Sequence, residues 1–162
     1  MSEVDLQRIK EIIENTLKAM GVSFDSVDVS ENATTSSPKF TIKTKESAML
    51  IGIKGANLFA FNHLVKKIVS KGKEEDEDQT KFFIDVNDYH ERVEYELRNK
   101  ARIMADRARS FKTNIELEPM SSYERMVVHS FLQEMPDIKT ESIGFGKDRR
   151  VVIKFVENLE NK

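Results

Sequence analysis

The segment "MLIGIKGANL", residues 49–58, places two glycines three positions apart, directly before a run with helical periodicity. Glycine is favoured where the backbone takes a positive φ or where another group approaches the main chain closely. Gly52 and Gly55 therefore predict a tight turn with exposed amide groups at the positive end of the following helix. Such a turn can bind an anion such as a phosphodiester, and Lys54 adds a positive charge. A G-x-x-G motif alone also fits an ordinary turn before a helix. The surrounding helices and strands are therefore needed to choose between the two interpretations.

The elements around this turn can be read from hydrophobic periodicity. Apolar residues at spacings of three and four predict a first helix that ends at Gly21. Alternating segments predict strands over residues 24–30 and 39–45, with "ENATTSSP" as the turn between them. An apolar stripe over residues 58–69 predicts a helix, and "KFFIDV" predicts a third strand. The first 86 residues thus predict the order α-β-β-α-α-β, with the glycine pair between the last two helices.

A long helix is predicted from near Asp88, which has capping-box spacing with Glu91, to about Ser110. Residues 98–112, which cover the second half of this helix and its end, are basic, with Arg98, Lys100, Arg102, Arg107, Arg109 and Lys112 against Asp106 alone. Two interpretations of this basic cluster stay open. Positive charge near a helix C-terminus is favoured by the helix dipole, and the same charge could also contact a nucleic acid that spans two modules.

The last fifty residues predict a second unit. "IELEPM" is a short strand, "SSYERMVVHSFLQEM" is a helix capped by Ser121 and Glu124, and "IKTESIG" and "RRVVIKF" are strands joined by the hairpin "FGKD". Arg125 and His129 are four positions apart and lie at the edge of the helix's apolar face. They either fringe the core or meet a partner, and we expect them to be better placed for a partner than for burial.

Composition excludes several classes of protein. The net charge of −2 does not by itself indicate a nucleic-acid-binding protein. The sequence contains no run of about 18 apolar residues, so no membrane span is predicted. The absence of cysteine excludes disulfides and suits a cytoplasmic location. The acidic run "KEEDED" is most simply a solvated loop, and the histidines lack metal-ligand spacing. We expect no cofactor, no metal and no enzymatic activity.

The segments "LIGIKGANLFAFNHLVKKIV", "FFIDVNDYHERVEYELRNKA", "IELEPMSSYERMVVHSFLQ" and "TESIGFGKDRRVVIKF" resemble the bacterial Jag family over residues 22–156. "LEPMSSYERMVVH" is the most specific of these matches. In that family a KH domain precedes an R-3-H domain, which is named for its Arg-x-x-x-His motif. The resemblance implies an α+β fold with a type-II KH domain over residues 1–86. A long connecting helix and a small R-3-H α/β domain with a short mixed sheet would fill residues 87–162.

The resemblance also implies a function, namely binding of single-stranded RNA or DNA. Of the two we expect RNA as the main ligand, bound by an RNA chaperone or post-transcriptional regulator, and single-stranded DNA stays an alternative. The residues that it assigns to binding are Gly52, Ile53, Lys54 and Gly55 of the KH loop and the motif pair Arg125 and His129. Arg149 and Arg150 are expected to add phosphate contacts. This chain departs from the family pattern at Ile53, since the loops often carry two polar or basic residues between the glycines.

Two other classes of function are considered. The first is a protein-interaction adaptor, or a cell-division or cell-envelope regulator, whose KH surface binds a small single-KH protein or a second copy of the chain. The second is a small hydrolase or nuclease, for which the sequence offers only stray acids. A test expected from the sequence is replacement of Gly52 or Gly55 by Asp, which should weaken RNA binding without unfolding the domain.

Overall fold

The structure is a computed structural model that describes residues 2–31, 37–71 and 81–157. The acidic run at 73–78 and most of the turn at 31–38 lie outside the described residues. The chain divides into two compact units, Met1–His90 and Glu91–Lys162. Both units combine helices with a small sheet, so the expected α+β class is confirmed. No helix in the described ranges is both long and apolar enough to cross a membrane.

The first unit has the element order that the sequence predicts. Its helices and strands are, in chain order, α1 (Glu3–Ala19), β1 (Ser26–Glu31), β2 (Pro38–Lys43), α2 (Ser47–Ile51), a 3-10 turn (Ile53–Gly55), α3 (Ala56–Ser70) and β3 (Phe83–Val86). The sheet order is β1-β2-β3, with β2 antiparallel to β1 and parallel to β3. Parallel neighbours need a crossover connection. Here that connection contains α2, the glycine turn and α3, so the turn is part of the crossover.

One face of this sheet is buried against α1 and α3. A capping box between Ser2 and Asp5 begins α1, and Gly21, at φ 71°, follows its end. The core combines residues from both helices with the inward positions of the strands: Ile9, Ile13, Leu17, Val27, Phe40, Ile42, Leu58, Phe61, Val65, Val69, Ile84 and Val86. This burial fixes the orientation of α3, and with it the position of the turn at its N-terminus.

A buried ionic cluster lies on the opposite face of the same sheet, where strand alternation places Lys39 and Asp85. Lys39 Nζ is 3.2 Å from Asp85 Oδ2, and Asp85 Oδ1 is 2.9 Å from His90 Nδ1. Burial raises the pKa of Asp85, but its contacts with His90, the Val86 amide and Lys39 outweigh burial and lower that pKa below 3.8. Asp85 is therefore a buried carboxylate held ionised by its partners.

The second unit contains α4 (Tyr89–Phe111, which begins at the end of the first unit), β4 (Ile115–Glu116), α5 (Ser122–Leu132), β5 (Ile138–Ile143), a 3-10 turn (Gly146–Asp148) and β6 (Arg150–Phe155). Its sheet order is β4-β6-β5, and both pairings are antiparallel. The expected short mixed sheet is therefore wrong. β4 and β5 run in the same direction, but β6 lies between them, so parallel strands never become neighbours.

Small residues let α4 pack closely in the second core. Ala101, Ala105 and Ala108, one helical turn apart, are fully buried. They pack with α5 and with the inward positions of β5 and β6, namely Val128, Leu132, Ile138, Val151 and Ile153. The expected Ser121–Glu124 capping box is present at the start of α5. The core thus fixes the helix that carries Arg125 and His129.

Candidate nucleic-acid interface

The turn at residues 52–55 takes a backbone path that L-residues rarely follow. Gly52 has φ 70° and ψ −174°, Lys54 has φ 51°, and Gly55 has φ 79°. The conformation of Gly52 is essentially restricted to glycine, and Lys54 and Gly55 lie in the left-handed region. A lysine held there is uncommon, because a Cβ atom crowds the following carbonyl. The two glycines are thus explained by backbone geometry before any ligand is considered.

The protein's own side chains occupy the Cβ side of both glycines. A Cβ atom added at Gly52 would lie 2.6 Å from Asn57 Cγ, and one added at Gly55 would lie 3.1 Å from Tyr89 Cε1. Asn57 Nδ2 donates a 2.8 Å hydrogen bond to the Met49 carbonyl and so ties α3 to α2 across the turn. An Asp side chain at either glycine therefore meets these neighbours, and the expectation that it weakens RNA binding without unfolding the domain stays a prediction. Substitution at Gly52 or Gly55 strains the turn itself.

The rest of the turn faces solvent. Ile53 is 86% exposed, and the Lys54 side chain is also exposed. Since Gly55 is the N-cap residue of α3 and has no side chain, it cannot cap the first helical amides. The N-terminus of α3 thus has no side-chain cap, and an anion near the exposed Lys54 would be favoured by the helix dipole.

Exposed apolar side chains lie on the two helices that flank the turn. On α2 and α3 they include Met49, Phe59, Leu64 and Ile68, and Phe59 is 78% exposed. Apolar and aromatic surface of this kind can contact nucleobases whose phosphates lie on a neighbouring cationic turn. The expected apolar groove beside the glycine turn stays a prediction. That the surface contacts bases stays a prediction.

Arg125 is half-buried, and its guanidinium is engaged within the second unit. Nη1 donates to the Met120 carbonyl at 2.8 Å, and Nη2 donates to Ser122 Oγ at 3.0 Å. Met120 in turn donates its amide N–H to the Arg149 carbonyl at 3.2 Å. Arg125 therefore stabilises the segment before α5, which is hydrogen-bonded to the start of β6.

His129 is also half-buried, and both ring nitrogens contact hydroxyl groups of β5. Nδ1 lies 2.6 Å from Thr140 Oγ1, and Nε2 lies 2.9 Å from Ser142 Oγ. Burial, followed by repulsion from Arg125, lowers the pKa of His129 below 6.5, so the ring is neutral at pH 7. A neutral imidazole has one donor and one acceptor, and hydroxyl groups can complement both.

The structure gives Arg149 and Arg150 different surroundings. Arg149 is exposed, whereas Arg150 Nε donates to Glu116 Oε2 at 2.7 Å across the sheet. The charge of Arg150 is therefore partly compensated by a carboxylate. Arg149 and Lys147, both exposed in the hairpin between β5 and β6, carry the more accessible positive charge of this region.

The basic cluster of α4 is paired more extensively than its sequence suggests. Arg98 contacts Glu94, Lys100 contacts Glu118, Arg109 contacts Asp137 and Asp106, and Lys112 contacts Glu157. Arg102 lies over the ring of Phe131, with 5.5 Å from Cζ to the ring centroid. The hydrogen bond from Arg109 lowers the pKa of Asp137. These contacts favour the structural interpretation of the cluster over a continuous cationic track.

Sequence reasoning missed the side chains that hold the candidate site in place. Asn57 and Tyr89 fix the glycine turn, and Thr140 and Ser142 receive His129. The segment "TES", residues 140–142, places two hydroxyl groups on one face of a predicted strand, and this pattern could have indicated Thr140 and Ser142. Among the described residues, no group of three or more His, Asp and Glu side chains could hold a metal ion.

Comparison with known proteins defines the class of the second unit. Residues 96–155, which lie within that unit, match the family model of the R-3-H domain. The chain is thus an α+β protein with an R-3-H domain.

Two curated relatives extend the similarity over most of the chain. RNA-binding protein KhpB of Clostridium symbiosum is 30% identical over 143 residues, which cover 88% of this chain and 63% of the relative. RNA-binding protein KhpB of Bacillus subtilis (strain 168) is 30% identical over 128 residues, which cover 78% of this chain and 60% of the relative. The chain therefore spans about three fifths of the length of these relatives. Together with the R-3-H match, they confirm that the chain is Jag-like.

Proposed function

We propose that this protein binds single-stranded RNA without catalysing a reaction, and that residues 52–55 grip the phosphate backbone. The supporting observation is the exposed turn at the N-terminus of α3, where Lys54 projects between two glycines with positive φ. RNA is favoured over DNA because both relatives are named as RNA-binding proteins. A role as an RNA chaperone or post-transcriptional regulator, in the cytoplasm, fits this proposal.

Residues 1–86, within the first unit, would act as a type-II KH domain. In support, its elements follow the order α-β-β-α-α-β, and the glycine turn lies between α2 and α3. A GXXG loop of a KH module clamps about four nucleotides by their backbone. Ile53 would contribute apolar contact where other loops contribute a second polar group, so Lys54 would supply the turn's side-chain charge.

Residues 87–162, which comprise the connecting helix and the R-3-H domain, would add phosphate contacts. Arg149 is the best placed of the residues expected from sequence, since its side chain is exposed. Nη1 and Nη2 of Arg125 each donate one hydrogen bond within the unit, and both ring nitrogens of His129 contact hydroxyl groups there. We therefore assign Arg125 and His129 mainly to holding the surface, and contacts of these two residues with phosphate stay a prediction.

A protein-interaction adaptor is the second candidate function. The exposed apolar side chains around α3 favour it, because such surface also binds helices or strands of another polypeptide, for example a small single-KH protein or a second copy. The two candidates differ in what they respond to. RNA binding through the turn depends on salt and on the charge of residue 54, whereas apolar association responds weakly to both.

The test is fluorescence anisotropy of a labelled single-stranded RNA with wild type and two matched double variants. Ile53→Asp with Lys54→Asp puts two carboxylates on the turn, and neither side chain is buried. Lys18→Asp with Met20→Asp makes the same change in charge at the exposed end of α1. We expect the turn variant to lose RNA binding and the control to keep it. Equal affinity of a folded turn variant and wild type would refute binding through the turn.

A further inference from the structure

An aromatic ring projects from the hairpin between β5 and β6. Phe145 is 92% exposed, the highest value among the exposed large hydrophobic side chains of the described residues. A phenylalanine contributes to folding mainly by removing its ring from water. This ring stays in water, so stability of the folded chain does not explain its presence.

The hairpin, residues 144–149, holds this ring away from the sheet by a tight backbone path. Gly144 has φ 87°, and a Cβ atom there would lie 2.9 Å from the Asp148 carbonyl oxygen. Gly146 has φ 55°, and the Asp148 amide donates to the Phe145 carbonyl at 3.1 Å. These features close the hairpin around a short 3-10 turn, while the side chain of Phe145 remains exposed to solvent.

Two cationic side chains share the hairpin with the ring. Lys147 and Arg149 are exposed in the same hairpin, within four residues of Phe145. An aromatic face beside exposed positive charges is the combination that binds single strands, because bases stack on the ring while phosphates meet the cations. A protein partner for an isolated ring would instead call for further apolar surface, but the hairpin's other residues are glycines and charged side chains.

The two motif residues of α5 support both sides of this hairpin. His129 contacts Ser142 near the end of β5, and Arg125 is linked through Met120 to the carbonyl of Arg149. The hairpin is thus connected by hydrogen bonds to a helix that is fixed in the core. A ring carried on such a supported loop loses little additional freedom when a base stacks on it.

We propose that Phe145 stacks on one unpaired base of a bound RNA strand, and that Lys147 and Arg149 contact the phosphates on either side of that base. This inference rests on the proposed function, because it names a second contact on the same class of ligand. Base–aromatic stacking is tolerant of sequence, so the hairpin would add affinity without selecting a particular base.

The experiment uses the absence of tryptophan from this chain. Phe145→Trp places a single tryptophan at the hairpin, and Phe111→Trp places one at another exposed position, since Phe111 is 74% exposed. Titration with a single-stranded oligouridylate should quench the fluorescence of the first variant and leave that of the second almost unchanged. An abasic strand of the same length should not quench either variant.

Affinity measurements separate stacking from general apolar contact. Phe145→Ala should weaken binding of the same RNA about 5- to 150-fold, from the range known for single stacked bases. Phe145→Leu should weaken it nearly as much, and Phe145→Trp should retain it. Unchanged affinity in the Ala variant, or equal quenching by the abasic strand, would overturn the stacking role and leave the proposed function standing. A wild-type protein that binds no single-stranded RNA would overturn both.

Discussion

Replacing Lys54 by Asn separates the charge of the turn from its fold. Lys54 is exposed and adopts a left-handed backbone conformation, with φ 51° and ψ 30°. That conformation costs most L-residues about 1–2 kcal/mol, and Asn tolerates it better. The variant should therefore be as stable as wild type, or up to about 1 kcal/mol more stable. Any loss of RNA binding then cannot come from unfolding.

The expected loss of affinity follows from counterion release. On single strands the logarithm of affinity falls with the logarithm of salt by about 0.7 for each neutralised phosphate, so about four to six contacts give a slope of roughly −3 to −4. Lys54→Asn should make this slope less negative by about 0.7. Each phosphate contact then accounts for about a 2.6-fold decrease in affinity when the salt concentration rises from about 50 to 200 mM.

The assay is fluorescence anisotropy of a labelled single-stranded RNA over this range of salt. Lys18→Gln is the control, because it removes an exposed lysine from the end of α1. The control should have the wild-type slope. If Lys54→Asn also has the wild-type slope, or if the control changes as much, Lys54 does not contact a phosphate and the reasoning is wrong.

Three further predictions concern stability. Gly52→Ala should lower the free energy of unfolding by about 1–3 kcal/mol in urea denaturation, because it combines a strained φ with a Cβ atom 2.6 Å from Asn57 Cγ. The pKa of His129 is lower in the folded protein than in the unfolded chain, so the unfolded chain binds a proton more readily as the pH falls below 6.5. The free energy of unfolding should therefore have its full value above pH 6.5 and decrease as the pH drops, and His129→Gln should remove this dependence. Asp85→Asn should lower the free energy of unfolding by about 1–3 kcal/mol, because it removes the buried carboxylate shared by Lys39 and His90 while Asp88, 3.6 Å from Lys39 Nζ, still partly compensates the lysine; an unchanged free energy of unfolding would contradict the cluster's role.

Local patterns predicted the elements of this fold well. Periodicity located α1, α3 and α4, and the spacing of Ser121 and Glu124 located the start of α5. Strand partners were not contained in those patterns. β6 comes last in the sequence but lies between β4 and β5 in the sheet. The alternation of apolar and polar residues within a strand does not indicate which strands are its neighbours. The expected mixed sheet failed for this reason.

The candidate site was predictable only where its geometry is local. The spacing of Gly52 and Gly55 predicted a tight turn, and both residues have positive φ in the structure. A positive φ favours glycine at that position alone, so the sequence shows it directly. Contacts across the chain were not visible: Tyr89 reaches Gly55 from 34 positions away, and Arg109 meets Asp137 from 28 positions away. The sequence predicts Phe145 only as part of a hairpin, because the exposure of a ring depends on what packs near it.

Ultraviolet crosslinking of the wild-type protein to single-stranded RNA, followed by peptide mapping, tests the central claim most directly. Trypsin cleaves after Lys45, Lys54 and Lys66, so the turn is shared by two peptides, residues 46–54 and 55–66. The account predicts crosslinks on one or both of these peptides. Strong binding with crosslinks confined to other parts of the chain would contradict it.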